Sequence, residues 1–217
     1  MNRTITIRGR GRATLKPDLT VIRFTLKSTD PVYDAAMEKE EKMLAGLKNA
    51  LLPCGFTEEE LKTSDFSVSA EYENVRDPKG NYKNVFIGYA CVQRMTLEFD
   101  FDTKKLSRVL SSVSSCLADP ELSVNFSVKD RDAANKMLLE NAAKDAKEKA
   151  EILAAASGVS LGSLVSVLYG VSDRNFVSPT SFRAEAKCMA VNRSADMSFV
   201  PEDIKLEDTV TFLWEIC

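Results

Sequence analysis

The sequence predicts an α+β fold in which helices pack on a mainly antiparallel sheet, formed as a single domain over residues 1–217. Two observations predict this class. Segments with alternating apolar and polar residues occur in consecutive pairs, which is typical of hairpins, and three longer segments carry apolar residues at helical spacing. The predicted order is ββαββαβαββ, and its centre, β-α-β-β-α-β, is a split βαβ arrangement.

The first two strands are predicted from alternation near the start of the chain. The stretch IRGRGRAT (Ile7 to Thr14) places two glycines on one face and three arginines on the other. A turn at Pro17 precedes a second strand, in which Ile22, Phe24 and Leu26 alternate with polar residues. The G-x-G step leads into a strand and not into a helix, so a dinucleotide-binding loop is excluded here.

The middle of the chain alternates helices with further strands. Asp30-Pro31 predicts the start of the first helix, and Pro53 with Gly55 predicts its end. The predicted apolar stripe of this helix consists of Tyr33, Met37, Leu44, Leu47 and Leu51. The second helix follows Asp102, and Gly88 suggests a bulge or bend in the long fourth strand. The remaining predicted strands cover residues 66–72, 82–99, 122–128, 164–171 and 209–216.

The third helix is the longest and runs from Asp130 or Asp132 to Ser157. Alanine recurs along its inner face, so its axis can approach the sheet closely. Gly9 and Gly11 are the strand positions best able to accept this approach. The predicted seam consists of Ala134, Leu138, Ala142, Ala146, Ala150 and Leu153.

Residues 172–203 show no sustained period and are predicted to form a long irregular loop, a feature usually associated with function or disorder. This loop carries four large apolar side chains, which gain free energy only when covered. They are candidate contacts with a partner or a second subunit, and the alternative is that they fold back on their own sheet. The four are Phe176, Phe182, Met189 and Phe199.

Composition excludes most of the common hydrolase mechanisms. The chain contains no histidine, so it has no Ser-His or Cys-His nucleophile and no histidine-liganded zinc. We therefore predict that the protein is not an enzyme and uses no cofactor and no metal. The sequence has no apolar membrane span and no signal peptide, which predicts a cytoplasmic protein, or a periplasmic or surface-associated one if an export segment has been removed.

The arginines of the first strand form a candidate anion face. The first 27 residues carry a charge of +6, whereas the rest of the chain carries −9. Arg8, Arg10 and Arg12, with Arg23 and Lys27 as candidates to lie beside them, could bind a polyanion. No aromatic residue alternates with the three arginines, which disfavours nucleic acid and favours pairing with acids of a neighbouring strand.

Two other residue types invite a functional interpretation. The acidic clusters Glu38–Glu41 and Glu58–Glu60 are predicted to lie on exposed helical turns, where they are solvated or cap the helix. Cys91 falls on an apolar strand face and is predicted to be a core residue. Cys188, beside Lys187, is the candidate redox thiol, with an incidental surface thiol as the alternative.

Five stretches of the chain resemble SIMPL-domain (YggE-like) proteins. They lie in the family's order and span nearly the whole chain, which makes the resemblance fairly specific. The stretches are TITIRGRGRATLKPDLTVIRFTL (4–26), GFTEEELKTSDFSVSAEYE (55–73), FIGYACVQRMTLEF (86–99), AAKDAKEKAEILAAASGVSLGSLVSV (142–167) and IKLEDTVTFLWEI (204–216).

The resemblance implies an α+β domain linked to oxidative-stress defence and to envelope proteins, without established catalytic residues. Relatives that assemble into large rings imply a homo-oligomer. The leading hypothesis is therefore a non-enzymatic domain that self-associates or binds a partner, with the loop at 172–203 as its contact surface. The alternatives are a polyanion binder through Arg8, Arg10 and Arg12, or a redox-responsive protein acting through Cys188.

Overall fold

A computed structural model describes residues 3–76, 82–170, 174–185 and 200–217. The described chain forms three α-helices and eight strands, with two short 3₁₀ turns at Leu52–Cys54 and Glu58–Glu60. In chain order the elements are β1 (Thr4–Leu15), β2 (Leu19–Asp30), α1 (Tyr33–Leu51), β3 (Leu61–Arg76), β4 (Tyr82–Asp100), α2 (Thr103–Ser114), β5 (Glu121–Ser127), α3 (Arg131–Ala156), β6 (Leu161–Leu168), β7 (Val177–Glu185) and β8 (Ile204–Ile216).

The predicted α+β class is confirmed, but the order contains one strand more than predicted. This strand, β7, lies inside the segment 172–203, so the prediction of an irregular loop there is wrong for Val177–Glu185. Pro179 interrupts the strand pattern in the sequence. The structure tolerates it because β7 is an edge strand, where a missing backbone N–H need not break a ladder.

Five strands form one sheet in the order β3-β4-β2-β5-β7, which confirms the split βαβ core. Helix α1 connects β2 to β3, and β4 lies between those two strands. Helix α2 connects β4 to β5, and β2 lies between them. One face of this sheet is apolar and packs with α1 and α2 into a core that includes Phe24, Leu97, Leu106, Val124 and Phe126.

The chain divides into two compact units. One comprises Met1–Asp18, Ser127–Pro179 and Pro201–Cys217, and the other comprises Leu19–Phe126 and Thr180–Val200. The single domain over residues 1–217 stays a prediction.

The first unit is built on a three-stranded antiparallel sheet of order β1-β8-β6, with α3 packed on it. The close approach predicted at the two glycines of β1 is confirmed. A Cβ at Gly9 would lie 2.1 Å from the carbonyl oxygen of Ala142, and one at Gly11 would lie 1.9 Å from that of Leu138. The helix also supplies a hydrogen-bond acceptor to the free edge of β1, since the backbone N–H of Arg10 donates to Asp145 Oδ2 at 2.6 Å.

The buried face of α3 follows the predicted alanine seam, with one correction at its end. Leu153 is 48% exposed, and Ala154 takes the last buried position, so the seam keeps its four-residue step to the end of the helix. The buried residues are Ala134, Leu138, Ala142, Ala146, Ala150 and Ala154.

Replacing Ala146 with leucine is expected to lower the free energy of unfolding by about 1 to 3 kcal/mol, because the added isopropyl group has no space. Ala146 is fully buried and lies next to Gly9. Lys147→Leu is the matched control, since Lys147 is largely exposed, and it should change the stability by less than about 0.5 kcal/mol. Urea unfolding followed by circular dichroism measures both, and two neutral results would contradict the assigned buried face.

Helix α1 differs from the prediction in its start and in its buried stripe. Asp30 precedes the helix and accepts a hydrogen bond from the backbone N–H of Val32, so α1 begins at Tyr33 and not at Pro31. The predicted stripe is confirmed at Leu47 and Leu51 but wrong at its start, because Tyr33 is 47% exposed while Ala36 is fully buried. The buried residues of α1 are Ala36, Glu40, Leu47 and Leu51.

The bend predicted at Gly88 is confirmed. The register between β3 and β4 shifts there, since Glu71 pairs with Gly88 while Tyr72 pairs with Phe86. Gly88 has φ +152°, and a Cβ at this position would lie 2.6 Å from the carbonyl oxygen of Asp30. Glycine is therefore required where β4 bends beside the end of β2.

Candidate functional site

The basic face of β1 is paired with an acid of the neighbouring strand, as the sequence interpretation favoured. Glu207 on β8 contacts both Arg10 and Arg12, with Nε–Oε distances of 2.8 and 3.3 Å. Arg8 is exposed and has no ion pair with the described residues. One carboxylate therefore compensates part of the positive charge that a polyanion would use.

Helix α3 adds further charges beside Arg10 and Arg12, where a groove of about 400 Å³ lies between strand and helix. Lys144 and Lys149 line this groove, but so do Asp145 and Glu148. The hydrogen bond from Lys149 and that from the Arg10 backbone lower the pKa of Asp145, so it stays a carboxylate. The groove carries mixed charge and gives no specific argument for an anion.

The acidic cluster at Glu38–Glu41 is not uniformly exposed, which corrects the sequence prediction. Glu40 is only 3% exposed, and its Oε1 has no hydrogen-bond partner among the described residues. Burial raises the pKa of Glu40, and the charge of Glu41 raises it further. In the other cluster Glu58 pairs with Lys48 at 2.8 Å, and Glu60 accepts from the Thr57 backbone N–H, as solvated or capping acids do.

The buried cysteine of β4 is a core residue, as predicted. Cys91 is fully buried, and burial raises the pKa of its thiol, with the charge of Glu40 adding to the effect. A raised pKa keeps the sulfur in the unreactive thiol form. Cys188, the candidate redox thiol, lies outside the described residues, and the redox hypothesis stays a prediction.

The four apolar side chains proposed as contacts have different positions. Phe176 is buried in a cluster with Leu138 and Ile204, and Phe182 packs half-buried against the core of the five-stranded sheet. Both follow the alternative interpretation, in which they fold back on their own sheet. Met189 and Phe199 lie outside the described residues.

The edge strand β6 is an exposed surface that the sequence patterns did not indicate. It ends the order β1-β8-β6, and from Ser163 to Leu168 every residue is exposed. Leu168 is 77% exposed, and Leu164 and Val165 about half exposed, although adjacent strand residues point to opposite faces. Both faces and one edge of this strand are therefore open within the part of the chain that the structure describes.

A second exposed surface lies on the long β3–β4 hairpin. Tyr72 and Phe86 are exposed, and their rings meet edge to face with centroids 5.7 Å apart. Phe86 contacts Tyr89, which in turn contacts Tyr33 of α1. The alternation of β3 could have indicated part of this aromatic row, but Tyr33 was assigned to the core.

Three arginines meet on the five-stranded sheet, on the face away from the helices. Arg23 of β2, Arg94 of β4 and Arg183 of β7 line a groove of about 540 Å³. Lys27 pairs with Glu71 on β3 at 2.6 Å. Arg23 and Lys27 therefore belong to this sheet and not to the three-stranded sheet that carries Arg8.

The described ranges contain neither a cluster of candidate metal ligands nor a membrane-spanning helix. There, no three His, Cys, Asp or Glu side chains are grouped so that they could hold a metal ion. None of the described helices is long and apolar enough to cross a membrane.

Comparison with known proteins shows similarity over nearly the full length. The family model described as SIMPL, protein of unknown function (DUF541), matches residues 5–214. A curated relative, "Uncharacterized protein YggE" of Edwardsiella ictaluri (strain 93-146), is 26% identical over 204 residues, covering 92% of this chain and 81% of the relative. The match begins in β1 and ends in β8, and thus covers every surface described above.

Proposed function

The chain belongs to the SIMPL family, whose molecular function is unknown, and we propose that it self-associates through the edge strand β6. The observation that carries this proposal is an open strand edge without any charged residue. Strand β6 reads LGSLVSVL, and among the described strands none pairs with its outer edge.

The chemistry of β6 favours pairing with another strand. An open edge presents unpaired backbone N–H and C=O groups, and proteins usually protect such edges with lysine, proline or a covering helix. The opposite edge of the same sheet has this protection, since Asp145 and Asn141 of α3 bond to the backbone of β1. Strand β6 exposes leucine and valine residues and no charged side chain. No charge repulsion therefore prevents another strand from pairing with its edge.

The strand that pairs with the open edge of β6 comes from a second copy of the chain. Antiparallel pairing of β6 with itself is a twofold contact, in which the same uncharged surface meets on both sides. The contact would join two three-stranded sheets into one of six strands. Exposed Ile152 and Leu153, at the end of the helix that contacts β6, extend the apolar area toward the size that stable dimers need.

The experiment is a mass measurement on a charge variant. Val165→Lys places two lysines near each other in the twofold contact, and like charges across an interface cost several kcal/mol. The dissociation constant of the dimer should therefore rise at least about 100-fold, while the thermal midpoint of the monomer is unchanged. Sedimentation at several concentrations measures the shift.

The matched control is Val85→Lys, which adds the same charge to an exposed valine of the β3–β4 hairpin. It should leave the dimer intact. A monomeric wild-type protein at about 50 μM would refute self-association, since a stable dimer contact binds more tightly than this. Equal losses in both variants would refute β6 as its site, and loss only in the control would assign the contact to the hairpin.

A further inference from the structure

The groove on the open face of the five-stranded sheet collects arginines from three separate strands. Alternation along each strand sets their direction, because Phe24, Met95 and Phe182 pack into the helix-covered core. Arg23, Arg94 and Arg183 are chain neighbours of these residues and therefore lie on the opposite face. The three arginines line the same groove, which we call the arginine groove.

The positive charge of this groove exceeds the negative charge that the described residues bring to it. Arg94 donates to Asp65 on β3, which fixes its guanidinium beside the groove. Arg23 and Arg183 form no ion pair with any described residue. Glu121 is the one acidic residue among the described side chains that line the groove, and Asp65 compensates Arg94. Three arginines therefore stand against two carboxylates, which leaves an excess of one positive charge.

The remaining described lining supplies hydrogen-bonding groups but no exposed ring. Thr25, Ser64 and Ser123 contribute to the groove, and the Ser64 hydroxyl donates to the Arg94 carbonyl. Phe24 also borders it, but its side chain is fully buried in the core and offers no stacking surface. A single-stranded nucleic acid would require such a surface.

We propose that the arginine groove binds a small oligoanion, a molecule with two or more phosphoryl or carboxyl groups. Guanidinium groups form paired, charge-assisted hydrogen bonds with both of these groups. The volume of about 540 Å³ lies within the range of small-molecule sites, about 300 to 1,000 Å³. Arg23 and Arg183 supply the free donors, and Arg94, held by Asp65, supplies a third guanidinium group at a fixed position. The groove shares no residue with β6, and the proposal does not rest on self-association.

Isothermal titration of the full chain with tripolyphosphate and with citrate tests the proposal in about 50 mM salt, where screening is modest. At least one probe should bind saturably with a dissociation constant below about 1 mM. The double variant Arg23→Gln/Arg183→Gln should weaken binding at least about tenfold for each arginine removed. Binding of tripolyphosphate alone would assign phosphoryl groups, and binding of citrate alone would assign carboxyl groups.

Arg108→Gln is the matched control, because Arg108 is exposed on α2 and does not line the groove. Its affinity should equal that of the wild type, and both variants should keep the wild-type thermal midpoint. As an independent measurement, the affinity of the wild type should fall as salt is raised. Absence of saturation by either probe up to about 10 mM, or an equal loss in the control, would overturn the proposal.

Discussion

Gly11→Ala is expected to lower the free energy of unfolding by about 3 kcal/mol or more, at the upper end of overpacking effects. The added Cβ would lie 1.9 Å from the carbonyl oxygen of Leu138 and 2.8 Å from its carbonyl carbon. Both atoms belong to the backbone of α3, so no side-chain rotation can relieve the clash. The helix must move away from β1, which separates the apolar contacts along the alanine seam.

Urea unfolding followed by tryptophan fluorescence measures this effect directly. The single tryptophan, Trp214, is buried on β8 in the cluster that includes Ala142 and Ala146. Gly170→Ala is the matched control, since a Cβ there would meet no atom of the described chain within 4 Å, and its stability should change by less than about 0.5 kcal/mol. A Gly11→Ala protein as stable as this control would contradict the close packing of α3 on β1.

The contact between α3 and β1 could be predicted from sequence, because small residues within each of the two elements determine it. Alanine at successive turns of α3 indicates that the helix packs closely on a neighbouring element. Two glycines in one strand leave the space that such close packing needs. The strand faces were predictable for the same reason, since alternation alone places Arg23 opposite Phe24. Neighbours across the sheet were not predictable, because strand order decides that Arg23 and Arg183 share a groove.

The missed features are those in which tertiary structure overrides a local pattern. Glu40 lies on the buried stripe of α1 with Ala36 and Leu47. The spacing of apolar residues assigns a glutamate within an acidic run to the exposed face, because charged residues are rarely buried. Strand β7 was missed because Pro179 and the polar residues around it interrupt the strand signal. Pairing with β5 supplies what the local sequence lacks.

A buried ion pair in the first unit was also missed, because its partners are far apart in sequence and follow no period. Arg174 and Asp208 form an ion pair with side chains only 8% and 6% exposed. Asn135 of α3 and the Tyr169 hydroxyl also accept hydrogen bonds from the guanidinium, at 2.6 and 2.8 Å. The Nε of Arg174 has no partner among the described residues, so the guanidinium depends on these contacts.

Asp208→Asn is expected to destabilise the protein by about 3 kcal/mol or more, because it leaves the buried Arg174 charge without a countercharge. The asparagine keeps the size of the side chain and an oxygen for the Thr209 backbone N–H, which Asp208 Oδ1 now binds at 2.8 Å. Loss of stability is thus assigned to charge and not to a cavity. The matched control is Glu207→Gln, the same change one residue earlier on the exposed face of β8, where the cost should be within about 1 kcal/mol.

The double variant Arg174→Met/Asp208→Asn separates a coupled pair from two independent sites. Removing one charge leaves the other buried and unpaired, whereas removing both leaves no uncompensated charge. The double variant should therefore be more stable than the sum of the single effects predicts, by at least about 1.5 kcal/mol. Urea unfolding of the wild type, both single variants and the double variant, all at pH 7, closes the cycle. Additive losses would show that the two side chains do not stabilise each other, and an Asp208→Asn protein as stable as Glu207→Gln would place the pair in solvent.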